Sequence, residues 1–150
     1  MSASDYLEYN MLRHLLQNTT CPNVGDAAGL LASAAAGSLE VSLHTSDPGE
    51  AGDQTTNETA YTGYARVAVG RTGTAWGVTG GTGSNVAAVT FPQCTGGSPS
   101  TITHFGIGSA HTSTGYLFLS GAISSPVAGL VVNPGITPSY PIGSLTVNLG

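Results

Sequence analysis

From Thr72 to Gly150 the chain contains no Asp, Glu, Lys or Arg. Lysine is absent throughout, and the basic residues are Arg13, Arg66 and Arg71. An ordinary soluble domain is roughly a quarter charged. Those charges keep monomers apart and discourage sheet edges from pairing with other chains. A half-chain without them is expected to be covered by neighbours, which points to a part in an assembly. The same stretch is nearly empty of acid–base groups, and this counts against an enzyme.

Length and composition narrow the fold. A chain of 150 residues is expected to form one domain over 1–150 and to bury roughly 70% of its unfolded surface. Its 22 glycines, with many Thr and Ser, suit turns and short strands rather than long helices. The net charge is −5, with no basic cluster. Nucleic acid is therefore an improbable partner, because phosphates demand cations, and an anionic membrane surface fails likewise. The start, Met1-Ser2-Ala3-Ser4-Asp5, lacks the basic and apolar regions of a signal peptide. No apolar run reaches the roughly 18 residues needed to span a bilayer. Assembly in a host cytoplasm is expected, with Cys21 and Cys94 as free thiols.

One segment reads as a good helix, over 5–18. Asp5 and Glu8 have capping-box spacing, and Leu7, Met11, Leu12, Leu15 and Leu16 form an apolar stripe. That stripe packs either on its own domain or on a partner. Ala27 to Gly37 reads as a short helix or an extended loop. From Leu39 the period is two: Leu39, Val41 and Leu43 alternate with Glu40, Ser42 and His44, a half-buried strand. Further strands are expected over 64–69, 74–79, 85–91, 102–107, 116–121 and 145–149, with weaker candidates at 127–132 and Ile136. Pro126, Pro134, Pro138 and Pro141 suggest edge strands and ordered loops. The pattern predicts a mainly β chain: an antiparallel, jelly-roll-like β-sandwich over 39–150 behind the helix.

Few constellations offer chemistry. Asp47, Glu50, Asp53 and Glu58 lack the spacing of a calcium loop and read as a solvated turn, with Asp47-Pro48-Gly49 as turn chemistry. His44, His104 and His111 have no recognised metal-ligand spacing. A Ser–His–Asp arrangement through Asp47 and His104 lacks a nucleophile elbow. A polysaccharide hydrolase or lyase using Asp47, Glu50 or His104 lacks paired carboxylates at useful spacing. No catalytic, metal or cofactor site is expected. Arg66, placed in a strand pattern, is expected to fork onto a carboxylate, Asp47 or Glu58, or to make an intersubunit contact. Trp76, Tyr61, Tyr64, Tyr116 and Tyr140 could stack on sugars.

Several segments together resemble a group of small tailed-bacteriophage virion proteins. They are the helix from Tyr6 to Leu16, the turn Leu43-His44-Thr45-Ser46-Asp47-Pro48-Gly49, the strand with Tyr64-Ala65-Arg66 and the strand Thr103-His104-Phe105-Gly106-Ile107. The segments 85–92, 116–122 and 145–149 follow in the same order. The resemblance implies a virion structural protein, either a capsid cement (decoration) protein or a so-called tail fibre protein. The expectation drawn from it is cement on the phage head lattice, partnered by the major capsid protein and by itself as a homotrimer. The alternative is a tail-tip or tail fibre component in host attachment. Asp47, Tyr64, Arg66, His104 and Phe105 are the structural or interface candidates.

Overall fold

The computed structural model describes residues 2–125 and 127–150; Met1 and Pro126 lie outside them. The described residues form helix α1 (Asp5–Gln17) and then a series of short strands. Ser4, rather than Asp5, is the N-cap: its side chain accepts from the Leu7 amide at 3.4 Å. The expected capping box is thereby displaced by one residue. Asp5 and Glu8 instead place negative charge in the first turn, where the helix dipole favours it. Asn18 closes the helix with φ of 53°, a left-handed conformation Asn tolerates better than most residues.

The stripe docks on the chain's own core. Leu12 and Leu16 are buried and Leu15 is partly so, against β3 (Trp76–Thr79) and β4 (Thr82–Asn85). Arg71 pins the end of the helix: its guanidinium donates to the carbonyls of Leu15 (2.7 Å), His14 (2.6 Å) and Ala36 (3.2 Å). The Ala-rich segment after Cys21 is an irregular loop, tied by a Cys21–Leu30 bridge and an Asx turn at Asp26.

The largest sheet has the order β2-β1-β7-β8, from β1 (Ser38–His44), β2 (Val67–Gly70), β7 (His104–Gly108) and β8 (Leu117–Ala122). β11 (Thr146–Asn148) joins β4 and β3 in a second sheet. Two-stranded ladders complete the set: β10 (Ser139–Tyr140) with β5 (Val89–Thr90), and β6 (Ser100–Ile102) with β9 (Leu130–Val132). Every pairing is antiparallel. The fold is thus mainly β with one N-terminal helix, but the ladders do not trace a single jelly-roll. Gly and Pro punctuation keeps most strands too short to run across one continuous sheet.

Four local expectations change, the first being the 85–91 strand, which is broken so that Asn85 ends β4 and only Val89–Thr90 pair, as β5. β1 is buried on both faces, not half-buried, because strands flank it and a loop covers its polar side. The 64–69 strand starts only at Val67, because Tyr64 to Arg66 turn away to meet Glu58. Ile136 lies outside any strand.

Beneath the sheets lies one apolar cluster that includes Leu12, Leu16, Val41, Leu43, Trp76, Phe91, Phe105, Ile107, Tyr140 and Leu145. The Phe91 ring meets Tyr140 edge-on at 6.0 Å and stacks on Tyr64 at 6.4 Å. Trp76 and Tyr140 are 0% and 1% exposed, so neither can serve as a surface platform for a sugar.

Candidate functional site

Alternation gives β1 two chemically different faces. Leu39, Val41 and Leu43 enter the apolar core, while Glu40, Ser42 and His44 point the other way, beneath the loop from Thr45 to Gly63. Opposite them β7 presents Gly108 and Gly106, paired with Glu40 and Ser42. The glycines make space. A Cβ on Gly106 would stand 2.7 Å from both His44 Nε2 and Ser42 Oγ; one on Gly108 would overlap the Gln54 side chain. Phe105 and Ile107, between them, fill the core side.

A polar layer occupies this space. His44 Nδ1 lies 2.8 Å from the Thr56 carbonyl, which can only accept, so Nδ1 carries the proton. Nε2 then accepts from the Ser42 hydroxyl at 2.8 Å. Burial holds the imidazole below its ordinary pKa, outweighing the Thr56 carbonyl and the Glu58 charge, which act upward. Gln54, fully buried, accepts from the Ala110 amide at 2.8 Å and so ties the 45–63 loop to the 109–116 loop. Across from it, the imidazole of His111, largely exposed, reaches the buried Glu40 carboxylate at 2.9 Å.

Glu58 is the hub of the layer. Arg66 donates to it twice, Nε to Oε1 and Nη2 to Oε2, each at 2.7 Å. The third guanidinium nitrogen donates to the Ala110 carbonyl at 2.7 Å. Tyr64 donates to Glu58 Oε1 at 2.8 Å and accepts the Leu43 amide at 3.0 Å. Hydrogen bonding to Glu58 raises the Arg66 pKa further against the opposing cost of burial. Burial, with the Glu58 charge beside it, drives the Tyr64 phenol far upward. Arg66 is therefore a structural clamp on Glu58, not on Asp47.

This layer fixes an exposed surface. Asp47 stays at the tip of the loop, its carboxylate accepting the Gly49 amide at 2.9 Å in an Asx turn. A groove of roughly 470 Å³ runs between that tip and the edge of β8, bounded by Asp47, Glu50, Phe118, Ser120 and Asn148. Phe118 is 44% exposed, and Tyr116, just before β8, is 77% exposed. His104 lies outside this groove, half-buried, with Nδ1 at 2.9 Å from the Thr103 hydroxyl. The structure thus joins Tyr64 and Arg66, and sets Asp47, His104 and Phe105 in three other places. Among the described residues no group of three His, Cys, Asp or Glu side chains is placed to hold a metal.

Sequence reasoning missed Gln54, the Glu40–His111 contact and the exposure of Phe118, while Tyr116, one of the aromatic residues it named, is exposed. The spacing of Gly106 and Gly108 was the available signal for the first, since two glycines on one face of a strand announce something packed against it.

This β-rich chain clamps its own loops through Arg66 and Arg71, while Tyr116, Phe118 and Asp47 lie on its surface. It is a structural component of a phage virion. The chain matches the family described as podophage GP4 fiber I protein gp80 over residues 2–148, and it belongs to that non-enzymatic family. No curated protein matches it.

Proposed function

We propose that this protein is a fibre component of the virion that takes part in attachment to the host surface. The match to a fibre family over nearly the whole chain carries the reading. The exposed surface supports it. Tyr116 follows the hydroxyl-rich turn Thr112-Ser113-Thr114-Gly115 and presents its ring to solvent. An amphipathic ring beside hydroxyls suits the face of a sugar. Trp76 and Tyr140, being buried, take no part.

The capsid-cement reading, with the major capsid protein as partner, is supported by the ion-free C-terminal half, and the fibre family match favours attachment over it. Self-association, expected as a homotrimer, is compatible with either reading. Adsorption tests the choice. Purified protein incubated with host cells is expected to slow adsorption of the phage, and Tyr116→Ala to relieve that competition. No competition, together with a copy number matching the head lattice, would favour cement instead.

A further inference from the structure

We propose that the free edge of β8 receives an extended segment of a different virion protein, added as a strand and bringing a cation to Asp47 and Glu50. The ladder shows which groups are free. Arg71 donates to the Gly37 carbonyl, so the odd residues of β1 bond toward β2 and the even ones toward β7. The even residues of β7 then bond to β1, and Phe105 and Ile107 bond to Gly121 and Leu119 of β8. Ser120 and Ala122 therefore turn their backbone groups to the outer edge. Phe118 is the bulged residue, extra between the Gly108–Leu117 and Ile107–Leu119 pairs.

Sheet edges are ordinarily guarded by charge, proline, a bulge or a covering element, and here the one such device on β8 itself is the bulge at Phe118. Leu117 to Ala122 has no charge and no proline. β11 approaches its far end, where a side chain on Gly121 would meet the Thr146 carbonyl, and reaches the groove with Asn148. The Phe118–Ser120 portion opens into the groove, and its opposite wall carries Asp47 and Glu50. An added strand satisfies the free amides and carbonyls, and side-chain pockets select its sequence.

The charge of the occupant follows from the groove and its identity from this chain's composition. Two carboxylates with no cation lining the groove favour a Lys or Arg at the strand's centre. A second copy has no Lys or Arg free on an extended segment. It has no lysine, Arg66 and Arg71 are held internally, and Arg13 lies on α1 beside Gln17 and Tyr9. The cation must come from another chain.

Intact virions test this. Hydrogen exchange over 117–122 is expected to slow about tenfold or more in the particle relative to the free protein. Carbodiimide treatment of virions is expected to join Asp47 or Glu50 to a lysine of a different protein. Ser120→Pro is expected to keep the fold by circular dichroism, since that amide faces outward, and to reduce incorporation about tenfold by the loss of edge pairing. Unchanged exchange at 117–122 in particles containing the chain would overturn the proposal. So would protection reproduced by self-association of the pure protein, or protection that arises only when host glycan is added. Loss of adsorption competition with the edge still protected would remove the attachment reading alone.

Discussion

Arg66 holds Glu58 through two parallel hydrogen bonds of 2.7 Å, with the arginine side chain 4% and the glutamate side chain 13% exposed. The pair closes the polar side of β1 and fixes the loop that carries Asp47. Removing one partner leaves the other charged and buried. Glu58→Leu or Arg66→Met is expected to cost about 3–5 kcal/mol. The double variant Glu58→Leu/Arg66→Met is expected to cost less than the sum of the two singles, measured by urea unfolding. Strict additivity would mean that the pair is not coupled.

The buried His44 gives a pH dependence of known sign. Its folded pKa lies below the ordinary value of 6.5, so the unfolded chain binds the proton more readily. Stability from this group is complete above that value and is lost as pH falls through it toward the folded pKa. The slope is at most about 1.4 kcal/mol per pH unit for one proton. Thermal unfolding between pH 7.5 and 5, chosen to lie at about 1 to 1.5 units either side of the free value, is expected to show this slope. His44→Gln is expected to flatten it, whatever it does to stability at pH 7.5. An equal slope in both proteins would remove His44 as its source.

Gly108→Ala forces a Cβ into the Gln54 side chain and within 2.5 Å of the Tyr116 carbonyl. Overpacking of this kind costs about 1–3 kcal/mol. Gly70→Ala, where nothing lies within 4 Å, is the control and is expected to change stability by less than about 0.5 kcal/mol. Comparable losses in the two variants would argue against Gly108 as the spacer for Gln54.

Cys21 and Cys94 are both free and buried. A thiol reagent is expected to react with neither in the native state on the timescale of minutes and with both in denaturant. Reductant is expected to leave Tm unchanged. A fall in Tm on reduction would reveal a bridge.

Much of this was legible in the sequence, and the reasons are local. The stripe ending in Leu12 and Leu16 and the alternation from Leu39 to His44 are short-range patterns, and both elements formed. Arg66 was readable because cations are so scarce that a strand-flanking one needs a partner. Its partner was readable only as one of two: Asp47 and Glu58 share one loop, and only the turn at Tyr64 brings Glu58 to the guanidinium. The burial of Trp76 and Tyr140 also escaped, because it comes from α1 and from the Phe91 ring, distant in sequence. The division into small sheets was equally hidden, since strands of two to four residues carry almost no periodic signal.

The position of the chain on the particle tests the central claim most directly. Cryo-electron microscopy of virions carrying an antibody fragment against this protein is expected to place it in a fibre, at a few symmetric sites. Density distributed over the whole capsid lattice would contradict the fibre reading.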